Sequence, residues 1–315
     1  MITKAFEKFS YTSAGISSLL LLGITYYYLT LPLKWSFFES KIFNGLLIFG
    51  ALMLTNHAID TITRQLTIER ANRNAYHLLL YPILIFSFPI ESIDMRFILS
   101  SAAIWSAWRN MRIFFELTNN EKQKRRLFDA SLLLSFASLI ILENLIIFIY
   151  PLIVLITANI KRDFKHFIIL FFTPFLIIPP AYVISSFFSL DSYLFSSYFF
   201  GDQLQILNGF KLNLSTDYIP ISIIFILYLI SFLIKFFRTF SLNRRVLDIV
   251  GFVFTAFTSY LFFYQQDLSG SEFHYLFLIL VYFISQLFAK KISSLYLNFI
   301  FTSIIVSTII FKFII

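Results

Sequence analysis

The sequence predicts an all-α protein, a polytopic transmembrane helical bundle of about eleven spans, with its N-terminus in the cytoplasm and its C-terminus outside. Hydrophobic residues occupy 58% of the 315 positions, charged residues occupy 13%, and the mean hydropathy is +0.80. Soluble domains carry about 25% charged residues, so this composition does not fit packing in water. The apolar runs are continuous and do not alternate, which favours helices over membrane strands.

Each predicted span is a mostly apolar run bounded by charged or polar residues. The runs cover residues 12–32, 42–60, 75–90, 96–116, 127–142, 144–159, 167–188, 219–236, 247–264, 273–289 and 295–313. The first run follows Lys4 and Lys8, but it is longer than the apolar part of a signal peptide and lacks a small-residue cleavage site. We therefore expect a retained helix and one integral membrane domain over 1–315.

The stretch from 127 to 159 decides the orientation of everything after it. Glu143 and Asn144 divide its apolar residues into two predicted spans. A single tilted helix here would reverse every later span, and the basic loops further along the chain favour two spans.

The basic residues indicate the topology. Of the 25 lysines and arginines, five fall on the predicted outer side: Lys34, Lys41, Arg96, Lys211 and Lys312. The others lie in or beside short loops on the opposite side, which the positive-inside rule assigns to the cytoplasm. The longest connection, 189–218, is then non-cytoplasmic, too short for a domain but long enough for a lid or a surface helix.

Composition and motifs exclude several classes of function. The formal charge of +8 is spread over short clusters and not along one stripe, which does not indicate a nucleic-acid partner. Cysteine is absent, so disulfides, thiol catalysis and cysteine-bound metals are excluded. The sequence contains no phosphate-binding glycine loop, dinucleotide fingerprint, HExxH motif or glycine-flanked nucleophilic serine.

Acidic residues at the predicted outer side form the first candidate site. The set comprises Glu39, Glu91, Asp94, Glu143, Asp267 and Glu272, with Arg96 and His274 nearby in sequence. Glu143 stands out because it interrupts strongly apolar sequence, where an ionisable group usually faces a protein interior or a wet cavity. We consider Glu39 and Glu143 candidate catalytic residues, and the alternative is that each is an interfacial turn residue.

Metal binding has weaker support in the sequence. The four histidines, His57, His77, His166 and His274, lie in or beside different spans without paired spacing, so no metal site is predicted from them. Glu91 and Asp94 share one short turn and are candidate ligands for a divalent cation, which is the one cofactor that the sequence suggests. The alternative is that they solvate the turn and pair with Arg96.

Arginines at the predicted inner side form the second candidate site. Trp105, Arg109 and Arg112 have helical i, i+4, i+7 spacing, and Arg125 and Arg126 follow in the next loop. Guanidinium groups match phosphate oxygens, so we predict that these four arginines bind lipid phosphate. Anionic membrane lipid in general and a polyprenyl phosphate headgroup remain alternative partners.

The segment from about Arg96 to Ile156 resembles a family of multi-pass Bacteroidetes inner-membrane proteins, the domain of unknown function 6427. Its motifs here are Trp105-Ser106-Ala107-Trp108-Arg109, Arg126-Leu127-Phe128-Asp129-Ala130-Ser131 and Ser135-Phe136-Ala137-Ser138-Leu139. The resemblance implies the bacterial inner (plasma) membrane as the location, and it implies no particular activity.

More distantly, the layout resembles the C-type membrane glycosyltransferases, which take sugar from polyprenyl phosphate donors and use an acidic residue in the first outer loop. Glu39, in Trp35-Ser36-Phe37-Phe38-Glu39-Ser40, occupies that position. The loop departs from the family's pattern because it is short and lacks the acidic pair, and no large outer domain follows the helices.

Three functions are compatible with these patterns. The first is a glycosyltransferase-like protein that handles polyprenyl-linked sugar. The second is a non-catalytic membrane subunit of an envelope assembly, with a protein partner. The third is a transporter, for which Pro174, Pro179 and Pro180 supply helix breaks of the expected kind.

Overall fold

The computed structural model describes residues 5–7, 10–66, 75–88, 90–157, 163–187, 251–258, 269–287, 298, 301–302 and 305–306. Most of these residues are helical, which confirms the predicted all-α class. The elements are α1 Tyr11–Thr30, β1 Leu33–Trp35, α2 Lys41–Leu66, α3 Tyr76–Ser87, β2 Ile93–Asp94, α4 Met95–Glu116, α5 Asn120–Ile140, a 3-10 helix Leu142–Phe148, α6 Ile149–Thr157, α7 Phe164–Phe187, a 3-10 turn Ser271–Phe273 and α8 His274–Leu287.

Helix α1 begins where a capping box closes its first turn. The Ser10 side chain accepts a hydrogen bond from the Ser13 N–H, and the Ser13 side chain accepts one from the Ser10 N–H. These bonds satisfy backbone donors that a helix start leaves open. The helix ends before Pro32, whose missing N–H and ring disfavour a further turn.

Two short strands, β1 and β2, are the main departure from the predicted fold. They pair in parallel, with Leu33 opposite Ile93 and Trp35 opposite Asp94. Their pairing joins the connection after α1 to the connection before α4. The sequence predicts no strands here, because two or three residues of extended chain leave no detectable period of two.

Helix α5 begins seven residues before its predicted span at 127. The Asn119 side chain caps it, accepting hydrogen bonds from the N–H groups of Glu121 and Lys122. The first turns of α5 are charged, so hydropathy detects only the apolar remainder of the helix.

The chain reverses after α5. Asn144 donates a side-chain hydrogen bond to the Ala137 carbonyl (2.9 Å), and its Oδ1 accepts one from Tyr275 at the start of α8. Tyr150, six residues later, stacks on Trp108 towards the other end of α4. The segment 142–157 therefore runs back along the bundle, which agrees with the predicted division at Glu143 and Asn144.

Several predicted segments lie wholly or partly outside the described residues. The connection 189–218 and the span 219–236 fall outside them entirely. Residues 251–258, within the predicted span 247–264, are helical, as are the few described residues of 295–313.

Two described helices are long and apolar enough to cross a membrane, Lys41–Thr63 and Phe164–Phe187. They differ in their surroundings, because about half of the first is buried inside the protein and only 11% of the second is. Helix α7 consequently presents a row of exposed phenylalanines, including Phe171, Phe172 and Phe175.

Trp108 on α4 is the centre of an aromatic stack. Its ring lies nearly parallel to Tyr150 at 4.3 Å and to Phe252 at 5.0 Å. Gly251 permits this approach, since a Cβ atom there would overlap the Trp108 ring. The stack joins α4 to the segment 142–157 and to the helical residues 251–258.

We predict that Gly251→Ala destabilises the protein by about 1–3 kcal/mol, because the ring of Trp108 must move. Gly23→Ala in α1 is the matched control, since a Cβ atom there meets nothing within 4 Å. It should be neutral or slightly stabilising, as alanine favours a helix over glycine. Thermal unfolding in detergent measures both, and equal effects of the two substitutions would contradict the prediction.

Candidate functional site

Asp94 organises one end of the bundle, which we call the Asp94 end. It is almost fully buried and caps α4 through a hydrogen bond from the Arg96 N–H to its carboxylate (3.0 Å). The Arg96 guanidinium binds both oxygens of the same carboxylate, at 3.0 and 2.7 Å. Arg96 also lies 5.2 Å from the centre of the Trp35 ring, a cation–π contact. Cap, ion pair and ring contact fix where α4 starts.

Two serines attach α8 to this end. The Ser269 carbonyl accepts hydrogen bonds from the N–H groups of Glu91 and Ser92. The Ser271 hydroxyl accepts one from the Asp94 N–H (3.0 Å) and donates one to the Ser92 carbonyl (3.2 Å). Gly270 between them has φ 84°, a left-handed conformation that favours glycine.

Glu272 is the carboxylate that these contacts leave partly open. Its side chain is 4% exposed, and its Oε1 accepts hydrogen bonds from the Ser269 N–H (3.1 Å) and hydroxyl (3.0 Å). Its Oε2 is buried and has no hydrogen-bond partner among the described residues. It precedes the predicted span 273–289, and burial raises the pKa of its carboxyl, with the nearby charge of Asp94 adding to this and the Ser269 bonds opposing it.

Two polar residues that follow Glu272 in the sequence, His274 and Tyr275 at the start of α8, contact other helices. Tyr275 donates a hydrogen bond to Asn144 (2.9 Å) and lies 2.6 Å from the Ser100 hydroxyl. His274 lies 3.2 Å from the Tyr28 hydroxyl through its Nε2. The Asp94 cluster, as we call the whole set, comprises Tyr28, Asp94, Arg96, Ser100, Glu143, Asn144, Ser269, Ser271, Glu272, His274 and Tyr275.

The structure sorts the predicted acidic residues into two groups. Glu143 is 1% exposed and close enough to Tyr275 for the two groups to interact electrostatically. It therefore belongs to the cluster, with Asp94 and Glu272. Glu39 and Glu91 are exposed, Glu39 on the connection between β1 and α2. Asp267 lies outside the described residues.

The residues proposed for a cation are not arranged as a joint site. Glu91 is exposed, whereas Asp94 is buried and bound to Arg96. Within the part of the chain that the structure describes, no three His, Asp or Glu side chains are placed to hold a metal ion.

The four predicted phosphate-binding arginines have different surroundings. Arg112 is buried, with its Nε 3.9 Å from Glu116, and Arg125 is exposed. Arg109 and Arg126 are half-buried, and the Arg126 guanidinium donates a hydrogen bond to Asn110 (3.1 Å) beside Arg109. We call this end of the bundle the Arg109 end.

The two candidate sites lie far apart. Asp94 and Arg109 are separated by 15 residues of one continuous helix, which correspond to about 22 Å. A single lipid headgroup therefore cannot contact both sites at once. The basic-residue pattern predicts the two sets on opposite sides of the bilayer, and the length of α4 is consistent with that prediction.

Asp60 and His77 form a buried pair that was not predicted from the sequence. The His77 Nε2 lies 3.0 Å from an Asp60 carboxylate oxygen, and both residues are less than 10% exposed. Nearby, Asn56 donates a hydrogen bond to Ser17, which bonds to the Leu78 carbonyl. The predicted spans contain an indication of this pair. Asp60 ends the span 42–60 and His77 lies near the start of the span 75–90, which places both at the same end of neighbouring helices.

Comparison of this chain with protein-family models, with curated proteins and with solved structures finds no match.

We predict that Glu272 gives the protein a pH-dependent stability. Its folded-state pKa is raised above the unfolded value, so the folded state holds its proton more tightly. Stability should therefore fall as pH rises from the ordinary glutamate range through the raised pKa, on the order of a few °C in Tm. Glu272→Gln should flatten this dependence.

Thermal unfolding in detergent from about pH 4 to 8 measures the effect. Glu91 is exposed at the same end of the bundle and supplies the control. Glu91→Gln should retain the wild-type dependence of Tm on pH. A Glu272→Gln variant with the wild-type profile would show that the carboxyl does not titrate in this way.

Proposed function

We propose that the chain is a multi-pass protein of the bacterial inner membrane, with about eleven spans and with the Asp94 end on the outer side. The apolar composition, the distribution of basic residues and two helices able to cross a membrane support this proposal. The exposed aromatic side chains of α7 also support it, because lipid is the natural surrounding for such a surface. Membership of the resembled Bacteroidetes family belongs to the same proposal.

We infer that the protein acts on polyprenyl-linked sugar in the manner of a glycosyltransferase, at the Asp94 cluster. The observation that carries this inference is the buried Glu272 carboxyl, with one oxygen held by Ser269 and the other without a partner among the described residues. Perturbed and incompletely paired carboxyls are typical of general acids and bases. Geometry thus favours Glu272 over the exposed Glu39.

The proposed chemistry needs one proton acceptor. Glu272 takes the proton from an acceptor hydroxyl, whose oxygen forms a bond to the sugar C1. The bond between C1 and the phosphate oxygen breaks, and the polyprenyl phosphate leaves with the electron pair. A base with a raised pKa binds this proton more strongly, while Asp94 stays paired with Arg96 and holds the turn in place.

A specific observation favours the non-catalytic alternative. Asp94 forms an ion pair with Arg96 and donates its N–H to the Ser271 hydroxyl. Contacts of this kind, within the protein, are typical of residues that maintain a fold. A membrane subunit that binds a protein partner without catalysis needs only such structural contacts. Transport has less support from the described residues, because α7 continues through Pro174, Pro179 and Pro180 and is mostly exposed along its length.

Replacement of the carboxyls by amides tests the enzymatic proposal. Purified protein in proteoliposomes should consume a polyprenyl-phosphate-linked sugar, measured by mass spectrometry of the donor. Glu272→Gln should slow consumption by about 100-fold or more, the usual effect of losing a general base. Glu143→Gln and Glu39→Gln test the two residues predicted from the sequence, and Glu91→Gln is the control, which should retain wild-type turnover.

Correctly folded protein that consumes no donor, or that works equally well as Glu272→Gln, would contradict the enzymatic proposal. A protein partner that copurifies in equal amounts with all four variants would then support the non-catalytic alternative.

A further inference from the structure

We propose that Arg109 and Arg126 form a binding site for one phosphate monoester at the Arg109 end of the bundle. The site lies in the groove between α4 and α5, and Asn110 positions one of its two arginines. It is narrower than the set of four arginines that the sequence indicates. It is also independent of the proposed activity, since the Asp94 cluster lies about 22 Å away along α4.

The α4–α5 hairpin brings the two arginines to the same depth. The helices are joined by the three residues Leu117–Asn119 and pack against each other over much of their length. Arg109 lies seven residues before the end of α4, and Arg126 lies six residues after the start of α5. Both are therefore about 10 Å from the hairpin turn.

Asn110 fixes the Arg126 side chain against α4. Its Oδ1 accepts a hydrogen bond from the Arg126 guanidinium at 3.1 Å, and the same guanidinium forms an ion pair with Asp129 at 3.7 Å. Arg126, held at Asn110 on α4, is close enough to Arg109 for the two positive charges to repel. Two arginines held together in this way are stabilised by an anion between them.

Arg109 offers a donor for that anion. Its Nε is buried and has no hydrogen-bond acceptor among the described residues. A buried guanidinium N–H without an acceptor is costly, and a bound phosphate oxygen removes the cost. The other two arginines differ in exposure, because Arg112 is buried and Arg125 is exposed.

The ligand chemistry follows from the two guanidinium groups. Each can donate two parallel hydrogen bonds, so a pair matches a doubly charged phosphate with three free oxygens better than a singly charged diester. The depth of about 10 Å from the turn is compatible with a lipid headgroup, and a soluble phosphate monoester offers the same atoms. The shared feature is the terminal phosphate group.

Native mass spectrometry of the full chain in mild detergent tests the site. The probes are phosphatidic acid as a monoester, phosphatidylglycerol as a diester, and inorganic phosphate as a competitor. The wild-type protein should bind one phosphatidic acid at least about tenfold more tightly than phosphatidylglycerol. Arg109→Gln and Arg126→Gln should each weaken phosphatidic acid binding by about tenfold or more.

Two further variants separate this site from general surface charge. Arg125→Gln removes the same charge from an exposed neighbour and should change the affinity less than about threefold. Arg109→Lys keeps the charge but loses the paired guanidinium N–H donors, and should bind phosphatidic acid nearly as weakly as Arg109→Gln. If Arg109→Gln does not fold, as judged by size-exclusion chromatography, Arg109→Lys tests the site in its place.

Competition by inorganic phosphate would show that the site accepts soluble phosphate, and its absence, with selective phosphatidic acid binding, would assign the site to lipid headgroups. Equal affinity for monoester and diester, equal weakening by Arg125→Gln, or undiminished binding by Arg109→Lys would overturn the proposal. Loss of this binding would leave sugar consumption at the Asp94 cluster as a separate question, measured by its own assay.

Discussion

The ion pair between Asp94 and Arg96 is the interaction on which the described fold depends. Asp94 caps α4, binds Arg96 through both carboxylate oxygens and donates a hydrogen bond from its N–H to the Ser271 hydroxyl. The same residue pairs with Trp35 in the two-stranded sheet. Through its backbone and its carboxylate, this one buried residue joins the chain after α1, the start of α4 and the start of α8. Loss of one partner would leave a buried charge uncompensated, which is strongly destabilising.

Polar groups in an apolar bundle must find partners, and the exceptions indicate sites. Most polar side chains at the Asp94 end bond to one another, as burial requires. Glu272 Oε2 and the Arg109 Nε are two exceptions among the described residues. They lie at opposite ends of the bundle and differ in charge, so they suit different chemistry: proton transfer at one end and phosphate binding at the other.

The helices could be predicted from the sequence because apolar runs and charged breaks determine them. The predicted span 96–116 matches α4, Met95–Glu116, almost residue for residue. Helix α5 begins before the predicted span at 127, since its first turns are charged, and the cap at Asn119 is a sequence signal that marks this start. The pairing of β1 with β2 and the approach of Glu272 to Asp94 depend on contacts across more than 50 residues of chain, which no local pattern contains. For the same reason, the sequence singled out Glu39 and Glu143 among the outer acids, and only the structure shows the surroundings of the Glu272 carboxyl, with Oε1 bound to Ser269 and Oε2 buried.

The orientation of the two ends across a membrane is the central claim, and the absence of native cysteine makes it directly measurable. Single cysteines replace Glu39, exposed near the Asp94 end, and Glu121, exposed at the start of α5. A membrane-impermeant maleimide applied to intact cells should label Glu39→Cys, and it should label Glu121→Cys only after the inner membrane is permeabilised. Labelling of both positions in intact cells, or of Glu121→Cys alone, would contradict the account.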